Sequence, residues 1–209
     1  MKIIKPDVEF LTPVDGAAIV KHLELCGRVC YKSEGKISEN SAQKFLKNII
    51  SRGHEAVLEH FSFTVKFICD RGVSHEIVRH RLASYCQEST RYCNYSKDSF
   101  GSEITVIKPL FLKEGTKGWD SWKRSCEVAE TEYFNLLDFG CTAQEARSVL
   151  PNSLKTEVVM TADIREWRHF LKLRCSPAAH PQMREVALIL LDKVRGRIPV
   201  LFDDIKEVF

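Results

Sequence analysis

Hydrophobic positions recur along this 209-residue chain with two periods, and each period marks a type of element. Between Ser41 and Gly53, the residues Ala42, Phe45, Leu46, Ile49 and Ile50 fall at helical spacing, which predicts a one-faced amphipathic helix stopped by the glycine. From His60 to Cys69 the period shortens: Phe61, Phe63, Val65 and Phe67 alternate with Ser62, Thr64 and Lys66, the pattern of a half-buried strand. Asp70 stands where an N-cap would open a short helix through Val73, Ile77 and Val78, which brings Arg79, His80 and Arg81 to its end. The segment that follows, to Tyr95, reads as a loop or an edge strand. Ile104 to Lys108 reads as a strand closed by Pro109, and Trp119 to Phe139 as a long helix with the stripe Trp122, Cys126, Ala129, Tyr133, Leu136, Leu137 before Gly140. Leu154 to Ala162 alternates again and predicts a strand. Asp163 and Glu166 read as a capping pair for a helix running to about Arg174, and a last helix from Pro181 buries Met183, Val186, Ala187, Leu190, Leu191 and Val194 before stopping near Gly196. Helices and strands mixed without a regular βαβ alternation predict an α+β fold, a mixed sheet packed with helices, in a single domain over residues 1–209.

Composition narrows the functional classes. The longest purely apolar run, Val186 to Leu191, is far too short to span a membrane, and MKIIKPDVEFL has no secretory hydrophobic region, so the expected compartment is the cytoplasm. Lys and Arg exceed Asp and Glu by only 31 to 28, a balance too even to expect nucleic acid as a partner. The eight cysteines include no CxxC pair, so buried, reduced thiols are expected and a metal site is not.

Several familiar sites are missing. No GxGxxG follows a strand, no GxxxxGK[ST] occurs, and no GxSxG elbow is present. His54-Glu55 begins like a zinc-protease helix, but Leu58 stands where the second histidine would be needed. Arginine remains. Arg79 to Tyr95, RHRLASYCQESTRYCNY, sets three arginines and a histidine close together, and such charges repel unless an anion neutralises them. Arg147 lies in a short helical stretch before Pro151, and Arg165 and His169 share one face of the helix after Asp163. On that helix the apolar stripe Ile164, Trp167, Leu171 continues to Arg174, a charge where a core residue would be expected.

Arg79-His80-Arg81, then after seven residues Ser89 and next Arg91-Tyr92, resembles the signature of the flavin-dependent thymidylate synthases. GHEAVLEH (Gly53 to His60) is similar to that family's histidine loop, ARSVLP (Ala146 to Pro151) to its later arginine motif, and Asp163 to Glu185 to its C-terminal site region, in the same order along most of the chain. The resemblance implies an α+β homotetramer whose sites draw on more than one subunit, and reductive methylation of dUMP to dTMP. FAD is the implied cofactor, with NADPH and 5,10-methylenetetrahydrofolate as cosubstrates. It implies that His54, Arg79, His80, Arg81, Gln87, Asp163, Arg165 and His169 meet FAD. It further implies that Glu76, Arg79, Gln87, Glu88, Ser89, Thr90, Arg91, Arg147 and Arg174 hold dUMP, with Arg174 polarising the pyrimidine. Ala56-Val57 departs from the Ser/Thr-Pro common in the histidine loop, which removes a hydroxyl contact. Folate-only thymidylate synthases attack the pyrimidine with a cysteine that follows a proline; no cysteine here does. Cys86 and Cys93 are the thiols nearest the signature arginines, whose charge is expected to favour their thiolates.

Overall fold

The computed structural model describes residues 1–97 and 101–206. In chain order the elements are β1 (Lys2–Ile4), β2 (Asp7–Phe10), α1 (Gly16–Cys30), α2 (Ser41–Ser51), a 3-10 turn (Glu55–His60), β3 (Ser62–Asp70), α3 (Arg71–Ile77), β4 (Ser84–Gln87), β5 (Thr105–Ile107), α4 (Lys117–Asp138), α5 (Ala143–Ala146), β6 (Lys155–Asp163), α6 (Ile164–Arg174), α7 (Pro181–Arg195) and α8 (Pro199–Phe202). One sheet has the order β2-β3-β6-β4, and β1 pairs in parallel with β5 through Lys2↔Thr105, Ile3↔Val106 and Ile4↔Ile107. Helices and sheet are mixed, as the patterning predicted, and β4 is an edge strand inside the arginine-rich segment.

Local chemistry sets the element starts. Asp70 Oδ1 accepts from Val73 N at 2.7 Å, Thr116 Oγ1 from Trp119 N at 3.3 Å, and Asp163 Oδ1 from Glu166 N at 2.8 Å, each satisfying an orphan donor in a first helical turn. Pro181 opens α7 where its missing N–H costs nothing. The expected Asp163–Glu166 capping pair forms only in one direction, because the Glu166 carboxylate turns away to His80.

By compactness the chain divides into two units. The first comprises Met1–Asp7, Phe67–Arg79 and Cys86–Val158. Its core includes Tyr95, Ile104, Val106, Cys126, Tyr133, Ala146 and Leu154, with Trp122 and Leu137 packed against them.

The second unit comprises Val8–Lys66, His80–Tyr85 and Val159–Phe209. Trp167 stacks on Phe63 at 5.0 Å between ring centroids, donates from Nε1 to Phe63 O, and meets Phe170 edge-on. The patterning missed α1, whose N-cap Asp15 accepts from Ala17 N and Ala18 N. Helix α1 lies on α2 at Gly27, where a Cβ would come within 2.6 Å of the Phe45 ring, so the close approach needs glycine. Buried Glu24 on α1 accepts from Arg28 and from Ser41 Oγ, which satisfies its carboxylate.

Candidate functional site

In the second unit the site grows from the β6–α6 junction. Helix α6 buries Ile164, Trp167, Arg168, Phe170 and Leu171 and exposes Arg165, His169 and Lys172 at i, i+4, i+7. That exposed face lines an open cavity of about 870 Å³, together with Glu55, Glu59, Leu82, Asp163 and Glu166. Asp163, Arg165 and His169 are thus brought together, as expected, and Arg165 pairs with Glu59. His54, also exposed, hydrogen-bonds through Nδ1 to Tyr31 Oη at 2.9 Å. Arg81 is exposed, and His80 is buried at 4% exposure.

His80 is held on both ring nitrogens. Nδ1 lies 3.1 Å from Glu166 Oε1, and Nε2 accepts from Arg174 Nε at 3.1 Å. The Phe170 ring packs 4.8 Å from the imidazole and His169 edge-on at 5.5 Å. Tyr85 donates its hydroxyl to His80 O, and burial, followed by the Glu166 charge, pushes that phenol up to about 12. Arg174, read from its stripe position as a charge in want of a partner, meets a neutral ring here.

Burial, reinforced by the charges of Arg174 and His169, pushes His80 from 6.5 down to about 4. The unfolded chain therefore binds a proton between those values that the folded chain refuses, and stability falls as pH drops through that window. Glu166 opposes this: burial raises its carboxyl above 4.5, so it contributes stability below that value that is lost as pH rises through the raised one. The expected loss from His80 between pH 7 and pH 5 is about 1–2 kcal/mol, before the opposing contribution of Glu166, and is removed in His80→Asn. Denaturant unfolding at fixed protein concentration measures it, and an equal slope in both proteins would contradict it.

His80, Glu166 and His169 place one ligand atom each within 4.8 Å of one another, a donor set a divalent ion could use. The Arg174 guanidinium argues against it. A metal on His80 Nδ1 would drive the ring proton to Nε2, against an Nε–H that can only donate.

The first unit carries a second polar cluster. Gln87, on β4, donates from Nε2 to Ser74 Oγ at 2.9 Å and Thr156 Oγ1 at 3.3 Å, which fixes the amide and directs its carbonyl elsewhere. The Glu88 carboxylate accepts from Lys155 Nζ at 3.0 Å and Tyr95 Oη at 3.2 Å, so its charge is compensated within the unit. Ser89 is half-buried, and the Arg91 guanidinium lies 5.5 Å over the Tyr92 ring. Glu76 is half-buried on α3, and its carbonyl accepts from Arg79 N.

A cavity of about 440 Å³ is lined by Arg71, Thr90, Arg147, Ser148 and Asn152, among others. Arg147 Nη1 donates to Thr90 Oγ1 at 3.3 Å, and Arg71 Nη1 is buried with no hydrogen-bond partner among the described residues. Two guanidinium groups therefore face one cavity, neither in a salt bridge with a carboxylate among the described residues. Arg71 escaped the sequence reading because it follows the Asp70 cap and looks like an ordinary first-turn residue.

All eight cysteines are unpaired thiols, of which Cys69, Cys126 and Cys175 are buried while Cys30 and Cys86 are exposed. The expected thiolate character fails at Cys93: burial, followed by the Glu88 charge, raises that thiol despite its arginine-rich surroundings.

Comparison with known proteins places the chain in a family. The family model for the thymidylate synthase complementing protein matches residues 18–200. A flavin-dependent thymidylate synthase from Geobacter sulfurreducens is 36% identical over 92% of this chain and 83% of its own length. Its counterpart from Pyrococcus furiosus is 33% identical over 95% and 78%. Among solved structures, a UMP/dUMP methylase, PolB from Streptomyces cacaoi, bound with 5-Br dUMP, superposes with a TM-score of 0.77 at 25% identity, covering 97% of this chain and 96% of that one. Signature, fold and relatives agree, and the chain belongs to the thymidylate synthase complementing protein family, the flavin-dependent thymidylate synthases.

Proposed function

We propose that the chain catalyses the reductive methylation of dUMP to dTMP, with 5,10-methylenetetrahydrofolate as carbon donor and NADPH as the source of electrons through FAD. The observation that carries this reading is the set of guanidinium groups without carboxylate partners. Arg71 and Arg147 face one cavity, and Arg79, Arg81 and Arg91 stand exposed in or beside the signature, none in a salt bridge among the described residues. Such a set is stabilised by polyanionic ligands, and a nucleoside monophosphate and a dinucleotide are polyanions of this kind.

The residues present fit FAD. The 870 Å³ cavity has the capacity of a cofactor pocket, and its Arg165, His169 and Asp163 offer donors and an acceptor suited to the polar edge of a flavin ring. His54, Arg79, His80, Arg81 and Gln87 complete the set that would hold it. When bound, FAD supplies the hydride that takes the transferred carbon from the formaldehyde level to methyl. The protein's own tasks are binding and polarisation. Arg71, Arg147 and Arg91, with Ser89 and Thr90, hold the nucleotide phosphate, and the Gln87 carbonyl, its amide nitrogen already committed, accepts from a ring N–H. Glu76 and Glu88 border this nucleotide site, the latter neutralised by Lys155. The Arg174 guanidinium stabilises negative charge developing on the pyrimidine.

The homotetramer implied by the signature also belongs to this reading. Leu82 and Tyr92, both in the signature segment, are each 78% exposed, an unusual state for large apolar groups that a neighbouring subunit would cover. Among the described residues no helix is long and apolar enough to cross a membrane.

The test is dTMP formation from dUMP, methylenetetrahydrofolate and NADPH by purified, flavin-loaded protein; NADPH oxidation without dTMP would overturn the reading. A sharper test addresses the phosphate site. Arg71→Ala and Arg147→Ala are each expected to weaken dUMP binding by about 1.5–3 kcal/mol while flavin content is unchanged. Calorimetry giving wild-type affinity in both would remove this cavity from the site.

A further inference from the structure

Glu166 was expected to cap a helix and does not; its carboxylate is instead buried at 6% exposure against an imidazole. Burying a carboxylate is costly unless the group is paired, so a residue with no task beyond filling this space would be better served by an apolar side chain. The placement on α6 gives the reason. Glu166, Phe170 and Arg174 lie at i, i+4 and i+8, one stripe along the helix, and the His80 ring rests across that stripe, in contact with each of them.

The hydrogen-bond roles are fixed by elimination. A guanidinium Nε–H has no lone pair and can only donate, so His80 Nε2 must accept. A neutral imidazole carries one proton, which must then sit on Nδ1, and Nδ1–H needs an acceptor: the Glu166 carboxylate supplies it at 3.1 Å. The opposite tautomer would set N–H against N–H at the Arg174 contact, 3.1 Å apart, and leave Glu166 without a donor. Phe170 and His169 wall the ring on its remaining sides, which hinders a flip that would exchange the nitrogens.

We propose that Glu166 is a positioning residue: by holding His80 as the Nδ1–H tautomer it makes Nε2 an acceptor, and that acceptor fixes the orientation of the Arg174 guanidinium. This inference rests on the proposed role of Arg174 for its kinetic consequence, but not for the tautomer, which is a property of the protein alone. Glu166 borders the cavity proposed for FAD, but its carboxylate is committed to His80 and it acts through that ring.

The experiment has a spectroscopic and a kinetic arm. In ¹⁵N-imidazole-labelled wild type, with His80 assigned by difference against His80→Asn, magic-angle-spinning spectra should show Nδ1 protonated and Nε2 bare at neutral pH. Glu166→Met, similar in volume but without an acceptor, should shift His80 toward the Nε2–H form. It should also lower kcat about 10- to 100-fold, the usual cost of losing an outer-shell partner, with KM for dUMP little changed. Glu166→Gln should rescue both readouts to within about threefold, because Arg174 can only donate and the network selects the orientation in which the Gln carbonyl faces Nδ1–H. A wild-type His80 protonated on Nε2 would overturn the proposal, and so would a kcat loss in Glu166→Met with the tautomer unchanged. Should Glu166→Met fail to fold, the wild-type spectrum and the Gln variant decide alone. Should the wild type make no dTMP, the proposed reaction falls while the tautomer measurement still tests the arrangement.

Discussion

Arg174→Ala is expected to lower the single-turnover rate of methyl formation by about 100- to 1,000-fold at saturating dUMP, the range seen when one donor to a developing anion is lost. The reason lies in the residue's support. Its Nε is committed to His80, so the guanidinium is oriented before substrate arrives, and charge that appears only in the transition state meets a dipole already in place. The loss should therefore appear in the rate at saturation more than in KM. Arg174→Lys should recover little: an ammonium keeps the charge but lacks the planar fork that can bond His80 and ligand together. Rapid-quench measurement of dTMP in one turnover, with flavin content and dUMP affinity as controls, checks this. A variant altered only in KM would reduce Arg174 to a binding residue.

Arg168→Ala is expected to destabilise the protein by about 3–5 kcal/mol, because it leaves a cavity where a fully buried side chain stood and removes the donors to Leu201 O and Asp204. Arg168 is 1% exposed and grips Asp204 with two parallel bonds of 2.7 Å, donates to Leu201 O, and lies 3.5 Å from Glu55. Burial works to raise the Asp204 carboxyl, but the Arg168 hydrogen bond and charge outweigh it and hold the group below its usual value. That contribution is present above about 3.8 and is lost as pH falls through the depressed value. Arg168→Met, which keeps volume and lets the half-exposed Asp204 turn to water, should cost less than half as much. Denaturant midpoints at equal protein concentration compare the variants, and equal costs for Ala and Met would show that the ion pair and its hydrogen bonds, not the packing of the side-chain stem, hold the C-terminal turn.

Much of the fold was legible because burial writes a period into the chain. The strand β6 buries Thr156, Val158, Met160 and Ala162 in strict alternation, and α7 buries the apolar stripe read from its sequence. Helix α1 was not legible: only Ile19 and Leu23 of its apolar residues are buried, and Gly27 and Glu24 complete the buried face, so the stripe that faces α2 contains a glycine and a charge. At the site, the signature marked the arginines, whose charge density is visible without a structure. Arg71 and Glu166 were hidden because each occupies a position with a sufficient local explanation, a first helical turn and a capping pair. The roles proposed for them rest on surroundings distant in sequence, a cavity shared with Arg147 for Arg71 and His80 for Glu166.

Helix α6 separates two kinds of constraint around one axis. Its inward residues, Ile164, Trp167, Arg168 and Leu171, answer to folding, whereas Arg165, His169 and Lys172 face solvent and the large cavity. Changes on the second set leave the core untouched, so natural drift can retune what the cavity accepts without lowering the amount of folded protein in the cell. Selection on abundance and selection on activity then act on different residues of the same eleven-residue helix. A lineage under pressure from an inhibitor lodged in that cavity would have an escape route that spares stability, and a ligand meant to resist such escape must also engage Glu166, where loss of the acceptor disturbs His80 and Arg174 behind it.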